Sequence, residues 1–446
     1  MNFNNLLPTI SSLGCYICNK MAGWILLYNI GLKGLYGVYY IASFFNLKAQ
    51  KWILGRKNWS AQLRNAVQSA KAVDNQPIIW VHASSLGEFE QAKPIIETLR
   101  QSTTPPFVAV SFFSPSGLEA SKNYAFADYL FYLPLDSPGN AEKLISILQP
   151  DLVIWVKYEY WYHYLARLNR CGIRVLLVSA LFRKDKVFFK WYGLLHRKML
   201  DFFHHVFVQD DTSAKVLGSL LAPDKITLAG DTRFDRVVAI QQKFNKIEAI
   251  EKWLEYKKGR ILVAGSTWPK DDEVLQAVVS AIPELVLIIA PHHVAATDIA
   301  LLKSKFTAAT LFSQIEQRVE ASNTGILIID NIGMLSRLYY YADYCFIGGG
   351  FASTGIHNIL EAAVYAKPVL FGPNHAEYAE GQELINKGGA YSLPHATALT
   401  ALLKDLLNNP QLTEQTGKLA RQYVEEKAGA TQRVVDYIYK NRLLTN

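Results

Sequence analysis

The amino-acid sequence predicts an α/β protein with two consecutive doubly wound domains and an apolar segment at its N-terminus. The chain has 446 residues, which is more than one hydrophobic core usually serves. Short apolar runs alternate with helix-length segments in two successive series, and a polar, helix-prone stretch near 240–258 separates the two series. Continuous apolar strands separated by helices are typical of parallel sheets that are covered on both faces.

The two series of predicted strands define the domains. The first series comprises Ile78–His82, Val108–Phe113, Leu152–Val156, Val175–Ser179, Val206–Gln209 and Ile226–Gly230. The second comprises Ile261–Ala264, Leu285–Ala290, Gly325–Ile329, Tyr344–Ile347 and Pro368–Phe371. We therefore expect an N-terminal segment over 1–47, a first domain over 48–240 and a second over 241–446, whose last helices could return to the first domain. Ligands are expected beyond the carboxyl ends of the strands, in a cleft that the two sheets face.

The N-terminal segment contains 25 residues from Met21 to Phe45 in which Lys33 is the only charge. This run is long enough to span a bilayer, and its tyrosines and tryptophan suit a membrane interface. Two alternatives remain: a helix that lies on the membrane surface, and a helix buried in the core. The basic residues that follow predict that the downstream chain lies on the cytoplasmic side of the membrane.

The positive charge of the chain is confined to this N-terminal part. Residues 1–73 contain eight basic residues and no acid, so the other 38 basic residues balance all 38 acids of the chain. A nucleic-acid-binding protein would need a basic face on its folded body and a recognisable motif, and the sequence contains neither. The charge distribution therefore excludes a nucleic-acid partner and favours contact with anionic lipid.

A glycine-rich loop follows the predicted strand Tyr344–Ile347. Gly348, Gly349 and Gly350 would let backbone N–H groups approach an anionic ligand, although a tight structural turn is the alternative. The spacing matches neither the dinucleotide fingerprint nor the P-loop. Shortly after the loop, Asn358 and Glu361 have the spacing of a helix capping box, and Glu361 could also accept hydrogen bonds from two ribose hydroxyls.

Two acidic residues follow strands of the first domain. Glu88 comes after Ile78–His82, in the first turn of a predicted helix, where the helix dipole keeps a carboxylate ionised. An ionised carboxylate that faces a cleft can accept a proton from an attacking hydroxyl, although an acid at a helix N-terminus is commonly structural. Glu159 follows Leu152–Val156 among aromatic residues, and its spacing alone does not indicate a function.

Further candidates lie where strands of both domains end. They are Ser266, Thr267 and Trp268 after one strand, Pro291, His292 and His293 after another, and Arg233 after a third. The sequence has no Asp-x-Asp motif and no histidine and cysteine cluster with metal-ligand spacing, so it predicts neither a metal site nor another cofactor.

Together these segments resemble the 3-deoxy-D-manno-octulosonic acid (Kdo) transferases of lipopolysaccharide biosynthesis. The resemblance covers nearly the whole chain and rests on WVHASSLGE, PLDSPGN, PDLVIWVKYEYW, FVQDDTSAKVLGSL, AGDTRFD, AGSTWPKDDE, IAPHH and GGGFASTGIHNILEAAVYAKPVLFGP. It implies a GT-B fold and metal-independent transfer of Kdo from CMP-Kdo to the lipid A precursor, lipid IVA. It also implies a Gram-negative bacterial enzyme on the cytoplasmic side of the inner membrane.

The resemblance also assigns residues. It implies that Glu88 is the general base and that Glu159 and Arg233 steady the transition state. The implied CMP contacts are Pro291, His292, Ile332, Gly333, Met334, Asn358, Ile359, Leu360 and Glu361. Three single positions depart from the family pattern: His292 replaces an arginine, Met334 a glutamate and Arg233 a lysine. The family's Glu-Thr-Glu-x-Trp-Pro-Asn block also departs, since it reads Lys157-Tyr158-Glu159-Tyr160-Trp161-Tyr162-His163 here.

Two rival functions stay open on the sequence alone. One is a GT-B transferase that uses a UDP-sugar on a lipid, and the other is a catalytically inactive, membrane-tethered binding protein. Neither the number of Kdo residues added nor the oligomeric state follows from the sequence.

Overall fold

The computed structural model describes residues 7–71, 76–157, 159–317 and 325–444. The chain divides into two compact units. Unit 1 is Met1–Thr232 with Gly429–Asn446, and unit 2 is Arg233–Ala428.

Unit 1 begins with three helices and continues as alternating strands and helices. Its elements are α1 (Leu7–Ala42), α2 (Leu47–Leu54), α3 (Trp59–Lys71), β1 (Ile78–Ala83), α4 (Leu86–Leu99), β2 (Phe107–Phe112), α5 (Pro115–Ser121), β3 (Tyr129–Tyr132), α6 (Pro138–Leu148), β4 (Leu152–Val156), α7 (Tyr162–Arg170), β5 (Arg174–Ala180), α8 (Leu194–Asp201), β6 (His205–Val208), α9 (Asp211–Leu217) and β7 (Ile226–Leu228).

In the described part of the chain, the strands of unit 1 form a seven-stranded sheet in the order β3-β2-β1-β4-β5-β6-β7. Each neighbouring pair is parallel. Because β1 pairs in parallel with both β2 and β4, the loops that follow these three strands lie side by side at the carboxyl ends of the strands. Trp80 and Trp155 pack into the core on one face, and Ile79 and Val81 into the core on the other.

Unit 2 repeats the alternation. Its elements are α10 (Thr232–Gln242), α11 (Glu248–Leu254), β8 (Ile261–Thr267), α12 (Pro269–Ala281), β9 (Val286–Pro291), α13 (Ala296–Lys305), β10 (Thr310–Leu311), α14 (Phe312–Gln317), β11 (Ile326–Ile328), α15 (Leu335–Leu338), β12 (Tyr344–Ile347), α16 (Leu360–Ala363), β13 (Val369–Phe371), α17 (Ala379–Lys387), β14 (Ala390–Ser392), α18 (Ala396–Asn408) and α19 (Pro410–Lys427).

The strands of unit 2 that the structure describes form a second parallel sheet in the order β10-β11-β9-β8-β12-β13-β14. The domain boundary predicted at 240 falls inside α10. This helix packs with unit 2 from Arg233 onward, because Phe234 and Val237 are buried in its core. The final helix, α20 (Ala430–Lys440), belongs to unit 1 and packs against α4 through Val434, Val435 and Ile438.

The two parallel-sheet units confirm the α/β class predicted from the sequence. Each predicted apolar run contains an observed strand. The strands β3, β10 and β14 are additional, and all three lie at sheet edges. Strands β10 and β14 are two and three residues long and partly exposed, so they lack the continuous apolar run that marks the central strands. Strand β3 is an apolar run of four residues that the sequence-based prediction missed.

Helix α1 docks on unit 1 along one side. Trp24, Ile25 and Tyr28 pack against the unit 1 core. The Tyr28 hydroxyl donates a hydrogen bond of 2.6 Å to Oδ2 of Asp136, which is buried. Further along the helix, Tyr39 stacks on Trp52 with 4.3 Å between ring centroids. The predicted N-terminal segment is therefore packed on unit 1 from about residue 21 onward.

The opposite side of α1 exposes large apolar side chains, among them Leu26, Leu27, Ile30, Val38 and Ile41. Among the helices that the structure describes, none is both long enough and apolar enough to cross a membrane. The membrane-anchoring role of this segment stays a prediction.

Candidate active site

Glu88 lies at the start of α4, directly beyond the carboxyl end of β1. Ser85 is the N-cap, and its hydroxyl accepts a hydrogen bond of 3.4 Å from the Glu88 N–H. The Glu88 carboxylate accepts from the backbone N–H groups of Ser84 at 2.6 Å and Ser85 at 3.3 Å, both through Oε2. This reciprocal capping box holds the carboxylate at the positive end of a 14-residue helix.

Glu159 follows β4 and is held by three side chains. The Ser84 hydroxyl donates to its Oε1. The Trp161 indole donates to Oε2 at 3.0 Å, and Nε2 of His82 lies 3.2 Å from the same oxygen. With 23% of its side chain exposed, Glu159 is more restrained than a surface acid. Its carboxylate is therefore fixed in position rather than free to move toward a substrate.

A buried chain of polar groups supports Glu159 from behind. His82 Nδ1 lies 2.9 Å from Ser111 Oγ, and the Trp80 indole donates to the same oxygen at 2.8 Å. Because Ser111 Oγ accepts from Trp80, its hydroxyl proton can go to Nδ1 of His82. The His82 proton then sits on Nε2, where it faces Glu159.

His82 is a site residue that the sequence-based reasoning missed. The signal was a histidine at the end of an apolar run, Ile78 to Ala83, which is fully buried. A polar ring in such a strand needs a partner on a neighbouring element. That partner, Ser111 on β2, is identified only by strand pairing.

The surroundings of the Glu88 carboxylate raise its pKa above the ordinary value. Burial raises the pKa of Glu88, and the nearby negative charge of Glu159 raises it further. His82 and the backbone N–H groups of Ser84 and Ser85 oppose this rise. A carboxylate whose pKa lies above its ordinary value is a stronger base than an exposed glutamate, which suits proton acceptance from a hydroxyl. The structure thus brings Glu88 and Glu159 together beyond the carboxyl ends of the neighbouring strands β1 and β4.

Arg233, the third predicted catalytic residue, lies at the start of unit 2. Its Nη1 is 3.0 Å from Oε1 of Glu380, with both side chains largely buried. The guanidinium is therefore held by a carboxylate within unit 2.

The glycine-rich loop of unit 2 is packed too closely for side chains. A Cβ on Gly348 would lie 2.3 Å from the Ser266 carbonyl oxygen, and one on Gly350 would lie 2.5 Å from the Gly372 nitrogen. Gly349 has φ +89°, and a Cβ there would lie 2.1 Å from the Gly355 carbonyl oxygen. These close contacts require glycine at all three positions for steric reasons, whether or not a ligand binds there.

Asp271 organises the same loop. Its buried carboxylate accepts N–H groups from Gly349 at 2.7 Å, Phe351 at 3.3 Å and Trp268 at 2.9 Å. Burial raises the pKa of Asp271, and these three hydrogen bonds oppose the rise. The Gly349 N–H that the sequence offered to an anionic ligand is thus already bound to a protein carboxylate. Sequence reasoning missed Asp271, whose signal is an acid at the third position of a helix.

Ser266, Thr267, Pro291 and His292 meet where β8 and β9 end. Ser266 has φ +55° and lies at an irregularity in the pairing of β8 with β9, between Gly265 and Thr267. The Thr267 carbonyl accepts the His292 N–H at 3.0 Å, so the two predicted loops are joined by a backbone hydrogen bond.

Three aromatic rings stack at this edge of unit 2. His292 stacks on both Trp268, at 4.8 Å between ring centroids, and His357, at 4.6 Å, while Trp268 and His357 lie side by side in nearly parallel planes. The Trp268 indole donates to Nε2 of His357 at 2.9 Å, which requires a neutral imidazole. Burial, with a smaller effect of His292, lowers the pKa of His357 to about 4, so the stack carries no charge from this ring at neutral pH. Trp268 is one of the loop candidates predicted from the sequence, and the structure adds its contacts with His292 and His357.

The sequence predicts a helix start near His357, but the observed helix begins a few residues later. Helix α16 begins at Leu360, and its N-cap residue is Ile359 rather than Asn358. The Asn358 side chain accepts from the Leu360 N–H at 3.2 Å and donates to Glu361 Oε1 at 3.0 Å. The link between Asn358 and Glu361 therefore exists, but it joins two side chains. Ile359 and Leu360 are fully buried, which leaves Glu361 as the partly exposed acid of the group.

Ile332, Gly333 and Met334 form the turn before α15. Ile332 is 85% exposed, Gly333 has φ +98°, and Met334 is buried in the unit 2 core. The described residues contain no group of three or more histidine, cysteine, aspartate or glutamate side chains that could hold a metal ion.

Comparison with known proteins finds similarity to Kdo transferases. A family model described as 3-Deoxy-D-manno-octulosonic-acid transferase (kdotransferase) matches residues 57–236. The 3-deoxy-D-manno-octulosonic acid transferase of Haemophilus influenzae is 27% identical over 376 residues, which cover 81% of this chain and 86% of that protein. The protein of the same name from Chlamydia trachomatis serovar A is 24% identical over 414 residues, 89% of this chain and 94% of that protein. These matches bear out the resemblance to the Kdo transferases that the sequence shows.

The similarity to Kdo transferases supports glycosyltransferase activity for this chain. The matched region contains Glu88, Glu159 and Arg233, and it ends before the stacked rings of unit 2.

The fold has a wider range of relatives than the Kdo transferase family. The UDP-GlcNAc 2-epimerase from Neisseria meningitidis, bound to UDP-GlcNAc, aligns with a TM-score of 0.59 and 16% identity, and covers 82% of this chain and 100% of that chain. At this identity the likeness concerns the fold alone, with two parallel-sheet α/β units in succession, as in GT-B-type enzymes.

Proposed function

We propose that this Kdo transferase moves Kdo from CMP-Kdo to a hydroxyl of the lipid A precursor, with Glu88 as the general base and without a metal ion. The observation that carries the proposal is the paired arrangement of Glu88 and Glu159 at one sheet edge, in a chain of this family. One carboxylate is fixed by three side chains, and the other has a raised pKa at a helix N-terminus.

In this mechanism Glu88 accepts the proton of the acceptor hydroxyl as its oxygen attacks the anomeric carbon of Kdo. The bond from that carbon to the CMP phosphate breaks, and CMP leaves with the bonding electron pair. Glu159 contributes by its negative charge, which raises the proton affinity of Glu88, and by the hydroxyl of Ser84 that it holds. General-base catalysis of this kind contributes about 10²–10⁴-fold in rate.

Unit 2 is the proposed donor-binding unit. Asn358 and Glu361 would meet the ribose hydroxyls. His292 lies with Trp268 in the stacked group, directly after Pro291 at the end of β9. Arg233 would offset negative charge on the departing CMP. A guanidinium keeps the charge of the lysine that it replaces but offers a planar, forked geometry.

The acceptor and the location of the protein are proposed from α1. Its outer side exposes Leu26, Leu27 and Ile30, and Lys48 follows in solvent. An apolar helix side followed by basic residues suits a helix that lies in the interface of an anionic membrane. Arg56 does not belong to this basic surface, because it donates to the carbonyls of Leu133 and Phe113.

Incubation with CMP-Kdo and the lipid A precursor, followed by mass spectrometry of the lipid, tests the proposal. We expect the acceptor mass to increase by one or more Kdo residues. A parallel incubation with UDP-sugars identifies the donor class. Modification of the lipid by a UDP-sugar but not by CMP-Kdo would replace the proposed donor, and no transfer from either would favour a binding protein.

A further inference from the structure

A cavity of about 510 Å³ lies in unit 1, outside the Glu88 and Glu159 group. Its lining combines basic with apolar side chains from the loop before α7, the segment after β5 and helix α8. The lining residues are Tyr160, Leu181, Arg183, Lys186, Val187, Phe188 and His196.

Arg183 is built into the wall of this cavity. Its Nη2 lies 2.8 Å from Oδ2 of Asp210, and its Nη1 donates to the Phe182 carbonyl and the Ser213 hydroxyl, each at 3.0 Å. Because Asp210 also caps α9, the guanidinium is held in one place. This side chain shapes the wall, and much of its charge is balanced by Asp210.

Lys186 supplies the charge that is not balanced in this way. Its Nζ lies 3.7 Å from the carboxylate of the neighbouring Asp185, and both side chains are mostly exposed, so this ion pair is weak. The segment from Arg183 to Lys190 contains four basic residues and one acid, so its net charge is positive. The cavity therefore favours an anionic group.

The apolar part of the wall and its surroundings indicate what carries that anion. Val187 and Phe188 line the cavity, and the following loop exposes Trp191 to 87%. Helix α8, which contributes His196, packs against α1, the helix with the exposed apolar side. A ligand at this place would have apolar surroundings on one side and lysine on the other.

The cavity also lies beside the candidate catalytic group. Tyr160, in its wall, directly follows Glu159 in the chain. The segment from Leu181 onward leaves β5, which pairs in parallel with β4, so both loops leave the same edge of the sheet. A molecule bound here is within unit 1 and on the same side as Glu88.

We propose that this cavity binds a phosphate group of an amphiphilic acceptor, with Lys186 as its charged contact and Val187 and Phe188 against its apolar part. The inference rests on the proposed function, since it assigns a further binding site for the acceptor. It adds a determinant of acceptor choice: a phosphorylated amphiphile is preferred over a neutral one.

The test measures binding without any donor. The full chain in dodecyl maltoside micelles is titrated calorimetrically with octyl phosphate, with inorganic phosphate and octyl glucoside as reference probes. We expect saturable binding of octyl phosphate, at least tenfold tighter than binding of either reference. Lys186→Ala should weaken it about tenfold, which is typical of losing one charged contact to a phosphate. Lys184→Ala, a matched exposed lysine outside the cavity, should change it less than twofold.

Several results would overturn the inference. Equal affinity of the wild type and Lys186→Ala would do so, as would an equal loss in Lys184→Ala, which would indicate general surface charge. Inorganic phosphate bound as tightly as octyl phosphate would show that the apolar wall contributes nothing. Transfer of Kdo is measured separately, so transfer without octyl phosphate binding refutes only the cavity, and binding without transfer refutes only the reaction. Both lysines are exposed, and unchanged melting temperatures show that the variants are folded.

Discussion

Replacement of Glu88 by glutamine tests the general-base assignment with little structural disturbance. Both backbone hydrogen bonds of the side chain, from Ser84 at 2.6 Å and Ser85 at 3.3 Å, go to a single oxygen, Oε2. The amide oxygen of glutamine can accept both, so the start of α4 is preserved. The amide cannot accept a proton from a hydroxyl at neutral pH.

The expected loss of rate is much larger than the expected loss of stability. Without a general base, turnover should fall about 10²–10⁴-fold, or about 3–5 kcal/mol in activation free energy. Removing a negative charge from a helix N-terminus costs about 0.3–1 kcal/mol of unfolding free energy. Burial and repulsion from Glu159 both disfavour the ionised form of Glu88. Because glutamine carries no charge, it avoids these two penalties, and this gain offsets part of the cost. The melting temperature should therefore change by only a few degrees.

The assay measures transfer from CMP-Kdo, CMP binding and thermal unfolding on one preparation. Glu90→Gln is the matched control, since Glu90 lies on the same helix and pairs with Lys93 near the surface. We expect the control to keep transfer within about twofold of the wild type. If Glu88→Gln turned over within a few-fold of the wild type, the base assignment would be refuted, and Glu159 would be the next carboxylate to test.

Three further results are expected. Glu159→Gln removes a negative charge that raises the pKa of Glu88, so the acid limb of the residual pH–rate profile should move to lower pH. An acid limb that does not move would contradict the electrostatic coupling of the two carboxylates. Glu361→Ala should weaken CMP binding by about 1–3 kcal/mol, whereas a lowered melting temperature with unchanged affinity would leave Glu361 only a structural role. Tyr28→Phe removes a buried hydrogen bond to the Asp136 carboxylate and should lower the unfolding free energy by about 1–3 kcal/mol. The control, Tyr40→Phe, changes an exposed tyrosine and should alter the unfolding free energy little. Equal unfolding curves for the two variants would show that the Tyr28 hydrogen bond does not hold α1 in place.

The strand pattern was predictable because it depends on local burial. A central parallel strand is covered on both faces, so it needs an unbroken apolar run, and each such run in the sequence became a strand. The short edge strands β10 and β14 are not covered in this way and lack that signal. Glu88 was also predictable as a helix N-terminal acid, because its capping box lies within five consecutive residues.

Contacts between distant parts of the chain were decided by the tertiary structure. The strand order places β1 beside β4, and this pairing brings Glu159 to Ser84 and His82 across more than 70 positions of sequence. In unit 2, Asp271 takes up the Gly349 N–H, which the sequence had offered to a ligand.

The sequence by itself determined the fold class, the two series of strands and the resemblance to the Kdo transferases. Local burial leaves a periodic pattern that can be read directly from the residues, and motifs preserve their order along the chain. The tertiary structure decided which polar groups support the candidate catalytic acids and where α1 and α20 dock. The physical reason is that a hydrogen bond or an ion pair depends on the distance between two atoms in space, and strand order, not sequence separation, sets that distance.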